Sequence, residues 1–388
     1  MTKAQPFRIE ISQDKLDWIR SRVEAYNWFP APEAGGPWQF GMSAAVMKDI
    51  QAYWLNQYDW REAEAELNKW PHYKAEIDGL GVHFLHIVGE AEGKRPLLLT
   101  HGWPGSFYEF YEAIGPLAYP SEHGGKAEDA FDLVIPSLPG YGFSGKPASP
   151  MGQRKTADLF DRLMREVLGY DSYLAQGGDW GGLVTSYLGL NHSAASGDGG
   201  CEAIHLNMIG LRPTPARPQT EAETEWMQAS QAKMQAEGAY FMQQATKPQT
   251  LAMALMDSPV GTAAWILEKF HGWSDLENGD LWSVYSRDQL LTNVMIYLVN
   301  DAIATSVWYY TALFLEGGVA LPEGKRVEVP TGFANYPDEE IYSPPPRSWC
   351  ERAYNITWWA DIEKGGHFAA MEVPELFVQD VRAWARSL

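Results

Sequence analysis

An aspartate surrounded by glycines is the residue of this chain best placed for chemistry. Asp179 stands in the run Gly177-Gly178-Asp179-Trp180-Gly181-Gly182, after a short apolar stretch and before a helix-like pattern. A sharp turn from a strand into a helix needs small neighbours and raises its central side chain above the sheet, as in a nucleophile elbow. A carboxylate needs no base to deprotonate it, so Asp179 is predicted to act as a covalent nucleophile.

The bond that an aspartate forms limits the substrates that it can process. A serine that opened an electrophilic sp³ carbon would remain as an ether, whereas an aspartate leaves an ester whose carbonyl carbon water can attack. The elbow therefore predicts alkyl transfer to Asp179, followed by hydrolysis of the ester. The segment by itself is equally consistent with an aspartate that only caps a helix after a glycine turn.

Companion groups follow in the order nucleophile, acid and histidine that a hydrolase triad requires. His367 stands in a glycine-rich loop after the last strand-like segment and before the final helix-like one, where we expect a catalytic base. The acid that orients it should follow the predicted strand 326–330. Asp338, Glu339 and Glu340 are the candidates there, and two of these three are expected to be surface charges.

Attack of water on the ester builds an oxyanion, which two backbone N–H groups should stabilise. The segment His101-Gly102-Trp103-Pro104 follows a buried strand and places the Trp103 N–H as one donor. The other is the Trp180 N–H, next to the nucleophile. Pro104 could alternatively mark the ordinary end of a strand, and a cis peptide bond before it would favour the oxyanion interpretation.

Two further patterns are not interpreted as sites. Gly140-Tyr141-Gly142-Phe143-Ser144-Gly145 matches the dinucleotide-binding motif, but the proline-containing segment 146–150 that follows cannot open the required helix. His83 and His86 fall on opposite faces of a predicted strand, so a metal pair is not expected. No cofactor and no metal is predicted.

Strand-like segments alternate with helix-like ones over most of the chain. The predicted strands are 72–77, 82–88, 96–100, 131–135, 172–176, 203–208, 326–330 and 355–360. Asp78-Gly79 between the first two is a strong hairpin signal. The alternation predicts an α/β fold with a mostly parallel central sheet flanked by helices.

Two helical stretches interrupt or precede this alternation. A leader with helical spacing is expected to lie wholly before the first strand, and the pattern over 221–317 is helical without a clear strand. The resulting domain prediction is an amino-terminal helical extension over 1–75, a core over 76–210 and 320–388, and a helical insertion over 211–319.

Composition excludes several classes of partner. The 388 residues carry a formal net charge of −20 without a basic stripe, which disfavours nucleic acids and anionic membranes. Aromatic residues make up 13% of the chain, enough for a core and an apolar cavity. No apolar run has the length of a signal peptide or membrane span, and the 2 cysteines form no disulfide framework, so a cytoplasmic protein is expected.

These motifs together resemble the epoxide hydrolases of the α/β-hydrolase superfamily, of the microsomal and juvenile-hormone type with a helical amino-terminal extension. The resemblance covers residues 7–384 and includes His-Gly-Trp-Pro at 101–104, Gly-Gly-Asp-Trp-Gly at 177–181 and Gly-Gly-His-Phe-Ala at 365–369. It implies that the helical insertion is a lid. It also implies hydrolysis of an apolar or aryl epoxide to a vicinal diol through an aspartyl ester.

The resemblance further implies roles for individual residues. Two lid tyrosines would hold and protonate the epoxide oxygen, and their positions relative to family motifs correspond to Tyr240 and Tyr310. The adjacent Tyr309 remains an alternative to Tyr310. The segment after the predicted strand 326–330 corresponds to Glu339 as the acid that polarises the histidine.

Two other functions use related chemistry or the same fold. A haloalkane dehalogenase forms the same ester, but a halide needs N–H donors whereas an epoxide oxygen needs a proton, which favours the two tyrosines. A non-catalytic small-molecule receptor should have lost part of the triad. The expected partners are an epoxide and water, without the membrane anchor of some relatives, and a homodimer is left open.

Overall fold

The computed structural model describes residues 3–30, 32, 36–339 and 343–388, in which nine strands form a single sheet. The strands are β1 (Gln5–Phe7), β2 (His72–Ile77), β3 (Leu80–Ile87), β4 (Arg95–Thr100), β5 (Phe131–Pro136), β6 (Ser172–Gly177), β7 (Gly200–Leu206), β8 (Val327–Asn335) and β9 (Tyr354–Asp361). Their order across the sheet is β1-β2-β3-β5-β4-β6-β7-β8-β9.

The sheet is antiparallel at one side and parallel over the rest. β1, β2, β3 and β5 pair antiparallel in that order. From β5 through β4, β6, β7 and β8 to β9 all pairs are parallel, and parallel neighbours need crossover connections, which helices supply. The predicted α/β fold class, with a mostly parallel sheet flanked by helices, is confirmed.

The helices fall into four groups along the chain. Those of the amino-terminal extension are α1 (Gln13–Glu24), α2 (Ala44–Asn56) and α3 (Trp60–Leu67). Between strands lie α4 (Tyr111–Ala118), α5 (Gln153–Arg162) and α6 (Asp179–Asn191). The insertion between β7 and β8 contains α7 (Glu221–Glu237), α8 (Ala239–Thr246), α9 (Pro248–Asp257), α10 (Pro259–Trp273), α11 (Arg287–Val299), α12 (Ile303–Ser306) and α13 (Trp308–Leu315). The last group is α14 (Arg347–Ala353), α15 (Ala369–Glu372) and α16 (Pro374–Arg386).

The helices predicted for the leader are present, but the prediction that the leader lies wholly before the first strand is wrong. β1 precedes α1 and pairs antiparallel with β2, with Pro6 opposite Tyr73. A strand of three residues is too short to show an alternating pattern, and its pairing depends on an edge that is remote in the sequence. β1 thereby covers the outer edge of β2, which would otherwise present unpaired backbone groups.

The predicted hairpin between β2 and β3 is present. Asp78 and Gly79 have φ values of 51° and 77°, and Ile77 pairs with Leu80 across the turn. Positive φ at both central residues is the geometry that suits the twist of a two-residue hairpin, and it explains the Asp-Gly pair.

Over 221–317 the insertion contains helices joined by loops and no strand, as predicted, and its two ends meet beside the sheet. Arg212 N–H donates to Val319 O at 2.9 Å, and Leu321 N–H donates to Arg212 O at 2.9 Å. The extension also contacts the insertion, with Lys15 Nζ 2.5 Å from Asp301 Oδ1. Within the described part of the chain no single helix is long and apolar enough to cross a membrane, although two sharply bent helix pairs, α9 with α10 and α11 with α12 and α13, reach that length and composition together.

Candidate active site

Asp179 stands on a tight turn between β6 and α6. Its φ is 48°, in the left-handed region that few residues other than glycine adopt. A Cβ at Gly177 would approach Gly181 O to 2.3 Å, and one at Gly181 would approach Thr100 O to 1.8 Å. Glycine is therefore required at both positions, and the turn presents the Asp179 carboxylate at the carboxyl end of the sheet.

His367 lies between two carboxylates. Its Nδ1 is 2.9 Å and 3.1 Å from the Glu339 oxygens, and its Nε2 is 3.6 Å from Asp179 Oδ2. Asp338 takes a different position, since its N–H donates to Gly365 O at 3.2 Å and thereby joins the two loops through the backbone. Glu340, the third candidate acid, lies outside the described residues.

The protonation of His367 depends on both carboxylates. Burial alone would lower the pKa of the imidazole, but the negative charges of Glu339 and Asp179 outweigh it and raise that pKa well above its ordinary value. Ester formation would remove the Asp179 charge and part of this effect. The pKa of His367 would then fall, which suits a group that must next accept a proton from water.

Glu372, which sequence reasoning missed, holds the histidine loop in place. Its carboxylate accepts hydrogen bonds from the N–H groups of Asp275, Gly366 and Phe368 at 2.8, 2.9 and 2.7 Å. Burial raises its pKa to about 7, although the three donors oppose this shift. Because Asp275 follows α10, Glu372 joins the insertion to the loop that carries His367.

The Trp103 N–H, predicted as an oxyanion donor, lies against the Asp179 carboxylate. It donates to Asp179 Oδ1 at 2.7 Å, and the Trp103–Pro104 peptide bond is cis. Gly102 permits this approach, because a Cβ there would lie 2.2 Å from the same oxygen. The described residues show no hydrogen bond from the Trp180 N–H to the carboxylate, so that donor remains a prediction for the ester and the oxyanion.

Side chains of the insertion hydrogen-bond to the loop that carries Trp103. Asn293 on α11 accepts from Ser106 Oγ at 2.9 Å and donates through Nδ2 to Pro104 O at 2.9 Å. Tyr297, one turn later, donates to Gly105 O at 2.5 Å. Asn293 and Tyr297 therefore hold the loop over residues 101–106, called the oxyanion loop below, in position.

Tyr240 and Tyr310 meet over the Trp103 ring. The Tyr240 ring is parallel to the Trp103 ring at 5.5 Å, and the Tyr310 ring is perpendicular to it at 5.8 Å. The two tyrosine rings are 5.9 Å apart. Tyr309 differs, because its hydroxyl donates to Thr156 Oγ1 on α5 at 2.6 Å. The geometry therefore favours Tyr310 over Tyr309 as the partner of Tyr240.

A cavity of about 570 Å³ opens beside the nucleophile, within the range typical of small-molecule sites. Asp179 and Trp180 form its floor. Its walls are mostly apolar and come from α7, α8, α13 and α14, with Trp226, Phe241 and Leu313 among them. Such a cavity can enclose a substrate larger and less polar than water.

Residues 140–150 do not form the start of a helix, which the dinucleotide motif would require. Gly140 N–H donates to Gly145 O at 2.9 Å, and Gly145 N–H donates to Gly81 O at 2.6 Å. The segment is a series of turns against the β2–β3 hairpin, as predicted.

His83 has a partner that sequence reasoning missed. Its Nε2 is 2.9 Å from His72 Nδ1 on the neighbouring strand, and its Nδ1 is 2.9 Å from Ser137 Oγ. Burial lowers the pKa of both imidazoles, and in His83 the nearby His72 adds to the effect. Both imidazoles are therefore neutral near pH 7, and their contact joins β2 to β3.

This pair should make stability depend on pH. Below an unfolded pKa of about 6.5, the unfolded chain binds protons that the folded chain refuses, so stability falls as the pH falls. His83→Gln is expected to be less stable than the wild type at pH 7.5. Below pH about 6.5, the difference between the two free energies of unfolding should shrink by about 1 kcal/mol per pH unit as the pH falls towards 5. Urea unfolding across this range tests it, and a gap independent of pH would contradict it.

Comparisons with known proteins point to one family. Residues 4–110 match the family model described as epoxide hydrolase N terminus, and residues 95–237 match that of the alpha/beta hydrolase fold. Epoxide hydrolase 1 of Sus scrofa is 36% identical over 97% of this chain and 87% of its own. The epoxide hydrolase of Aspergillus niger superposes with a TM-score of 0.85 at 31% identity over 99% of this chain and 96% of its own. The juvenile hormone epoxide hydrolase of Bombyx mori superposes with a TM-score of 0.85 at 30% identity, covering 100% and 95%.

Proposed function

This chain belongs to the epoxide hydrolases of the α/β-hydrolase fold, and we propose that Asp179 and the His367–Glu339 pair carry its conversion of an epoxide to a vicinal diol. The observation that carries the proposal is the position of His367, with Nδ1 2.9 Å from Glu339 and Nε2 3.6 Å from Asp179. This geometry suits a base that acts on water at the Asp179 carboxyl carbon.

In the first step, Asp179 Oδ2 attacks an epoxide carbon. Oδ1 accepts the Trp103 N–H, which leaves Oδ2 as the oxygen directed at the substrate. As the new C–O bond forms, the epoxide C–O bond breaks and its electron pair stays on the ring oxygen. Tyr240 and Tyr310 donate to that oxygen, since a phenol remains protonated at neutral pH and is a competent acid for a developing alkoxide.

In the second step, water attacks the ester carbonyl carbon and gives a proton to His367 Nε2. The negative charge that develops on Asp179 Oδ1 is stabilised by the Trp103 N–H and by the predicted Trp180 donor. Collapse of the tetrahedral intermediate breaks the bond between the Asp179 carboxyl carbon and Oδ2, so that Oδ2 leaves with the product and its alkoxide takes the proton from His367 to give the diol. The second proton of the water is lost from Asp179 to solvent, and the tyrosine that protonated the ring oxygen regains a proton from solvent. Asp179 regains its carboxylate with one oxygen from water.

The walls of the large cavity indicate the class of substrate. They present Trp226, Phe241 and Leu313 to any bound molecule, which favours an apolar or aryl epoxide over a small polar one. We expect kcat/KM for styrene oxide to exceed that for glycidol by on the order of tenfold or more, because each additional apolar group buried contributes to transition-state binding.

A panel of aryl, terpenoid and small polar epoxides, with diol quantified by chromatography, tests this expectation. The matched control is Asp179→Ala, which should form no diol from any of them. A preference for glycidol over every apolar epoxide would contradict the assignment of substrate class without affecting the triad.

A further inference from the structure

A second, much smaller cavity also borders Asp179 and shares no other lining residue with the large one. Its volume is about 20 Å³, enough for roughly one water molecule. The polar groups that line it belong to Asp179, His367, Glu109 and Asn207. The cavity thus brings the predicted nucleophile and base together with a carboxyl group and an amide that the mechanism has not used.

Glu109 reaches this cavity because Gly105 leaves space for it. Glu109 lies in the single turn of 3₁₀-helix Phe107–Phe110, and its carboxyl group occupies the place where a Cβ on Gly105 would stand, 1.3 Å from Oε1. Within the described part of the chain its carboxyl makes no hydrogen bond to another protein group. Its side chain is partly buried, and a carboxyl group withdrawn from bulk water without a protein partner costs roughly 1–3 kcal/mol, so a water in the cavity is its natural partner.

The ionisation of Glu109 fits such a partner. Burial raises the pKa of its carboxyl to about 8, with His367 opposing and Asp179 adding to the shift. At neutral pH Glu109 is then mostly a neutral acid, and its carbonyl oxygen can accept a hydrogen bond from water without placing a charge beside the Asp179 ester.

We propose that Glu109 is a positioning residue that holds the hydrolytic water of this small cavity against the carboxyl carbon of the Asp179 ester, an inference that rests on the ester mechanism proposed above. One hydrogen of the water is directed to His367 Nε2 and the other to Glu109. The water oxygen bonds to the ester carbon and its proton passes to His367, while Glu109 neither gains nor loses a proton. Asn207, whose Oδ1 accepts from Gln176 Nε2 at 3.0 Å, forms a further polar wall of the cavity.

Several titratable groups surround Glu109 and bear on any pH profile. Asp179 and His367 face it across the cavity, and Tyr285 and Tyr297 approach it from the insertion. Burial raises the pKa of each tyrosine well above the ordinary value for a phenol, so neither ionises near neutral pH. Glu372 on α15, with a pKa of about 7, is the other group expected to titrate in this region.

The test separates formation of the ester from its decay in Glu109→Leu and Glu109→Gln. Purified enzyme is mixed with a slight deficiency of styrene oxide, quenched at intervals and analysed as intact protein by mass spectrometry. We expect both variants to form ester within about twofold of the wild-type rate. Glu109→Leu should lose on the order of tenfold to a hundredfold in the rate of ester decay, because its water is no longer held in line.

Glu109→Gln provides the matched comparison. The amide of Gln has nearly the shape of the neutral carboxyl group and can also accept a hydrogen bond from water. The ester of Glu109→Gln should therefore decay near the wild-type rate at pH 7. The wild-type decay should slow at alkaline pH as Glu109 acquires a charge, and this alkaline decline should be absent in Glu109→Gln. A purely structural role would not remove the alkaline decline.

Each outcome has a distinct meaning. If the ester of Glu109→Leu decays at the wild-type rate, or if the decay rate of Glu109→Gln declines at alkaline pH as the wild-type rate does, Glu109 does not have this role, and the ester mechanism is unaffected. Turnover without any ester on the wild type overturns the ester mechanism itself. If Glu109→Leu does not fold, the pH profile of Glu109→Gln alone decides.

Discussion

His367→Gln is expected to form the ester at a rate near that of the wild type and then to retain it. The substitution removes the imidazole that should take the proton from water but leaves Asp179 Oδ2 and the tyrosines in place. Loss of a general base costs 10²–10⁴-fold, so turnover should fall by roughly 10³-fold. Intact-protein mass spectrometry should show a species heavier by the mass of one epoxide, located on the peptide that contains Asp179.

His205→Gln is the matched control for this experiment. His205 is also buried and also paired with a carboxylate, its Nε2 being 2.8 Å from Asp380 Oδ2. It touches neither cavity. We expect this variant to lose stability but to accumulate no ester. Rapid turnover by His367→Gln, or ester accumulation in both variants, would contradict the role given to His367.

The double substitution Tyr240→Phe with Tyr310→Phe is expected to block the earlier step. Without a proton for the ring oxygen, the epoxide must open to a free alkoxide, and alkylation of Asp179 should slow by about 10²–10⁴-fold. The variant should therefore show neither ester nor diol over the time in which the wild type completes many turnovers. Rapid-quench analysis of ester formation measures this directly.

Tyr309→Phe supplies a control at the neighbouring position. Its hydroxyl bonds Thr156, so its removal should cost about 1 kcal/mol of stability while leaving the rate of ester formation unchanged. Alkylation at the wild-type rate by the double variant would show that the lid tyrosines are misassigned. If Tyr309→Phe instead greatly slowed ester formation, the role of proton donor would belong to Tyr309 and not to Tyr310.

Local chemistry made the elbow and the oxyanion loop predictable from sequence. Gly177 and Gly181 are required by close approach of backbone, and such requirements are visible as runs of glycine. The hairpin at Asp78-Gly79 was predictable for the same reason, because its two positive φ values restrict the residues that fit. Signals of this kind need no knowledge of distant parts of the chain.

The pattern of residues alone could not decide which of several adjacent residues is the acid or the second tyrosine. Consecutive residues on α13 point about 100° apart, so Tyr309 and Tyr310 face different neighbours although either spacing is plausible. Asp338 and Glu339 also diverge, since one joins the loops through its backbone while the other reaches His367. Only the resemblance to epoxide hydrolases selected between them in advance.

Contacts between remote segments that belong to no recognisable motif could not be predicted. Glu372 and Glu109 have no local pattern that marks them, because their partners belong to the insertion, to the histidine loop or to the nucleophile turn. The His72–His83 pair likewise depends on the register of β2 against β3. Burial, which a single sequence does not display, is what gives these groups their altered pKa values.

The covalent role of Asp179 is tested most directly by one turnover in water enriched in heavy oxygen, with enzyme in excess over an apolar epoxide. The diol of this first turnover should carry no label, because its new oxygen comes from the Asp179 carboxylate, and the label should remain in the peptide that contains Asp179. Labelled diol with an unlabelled peptide would mean direct attack of water on the epoxide and would contradict the mechanism.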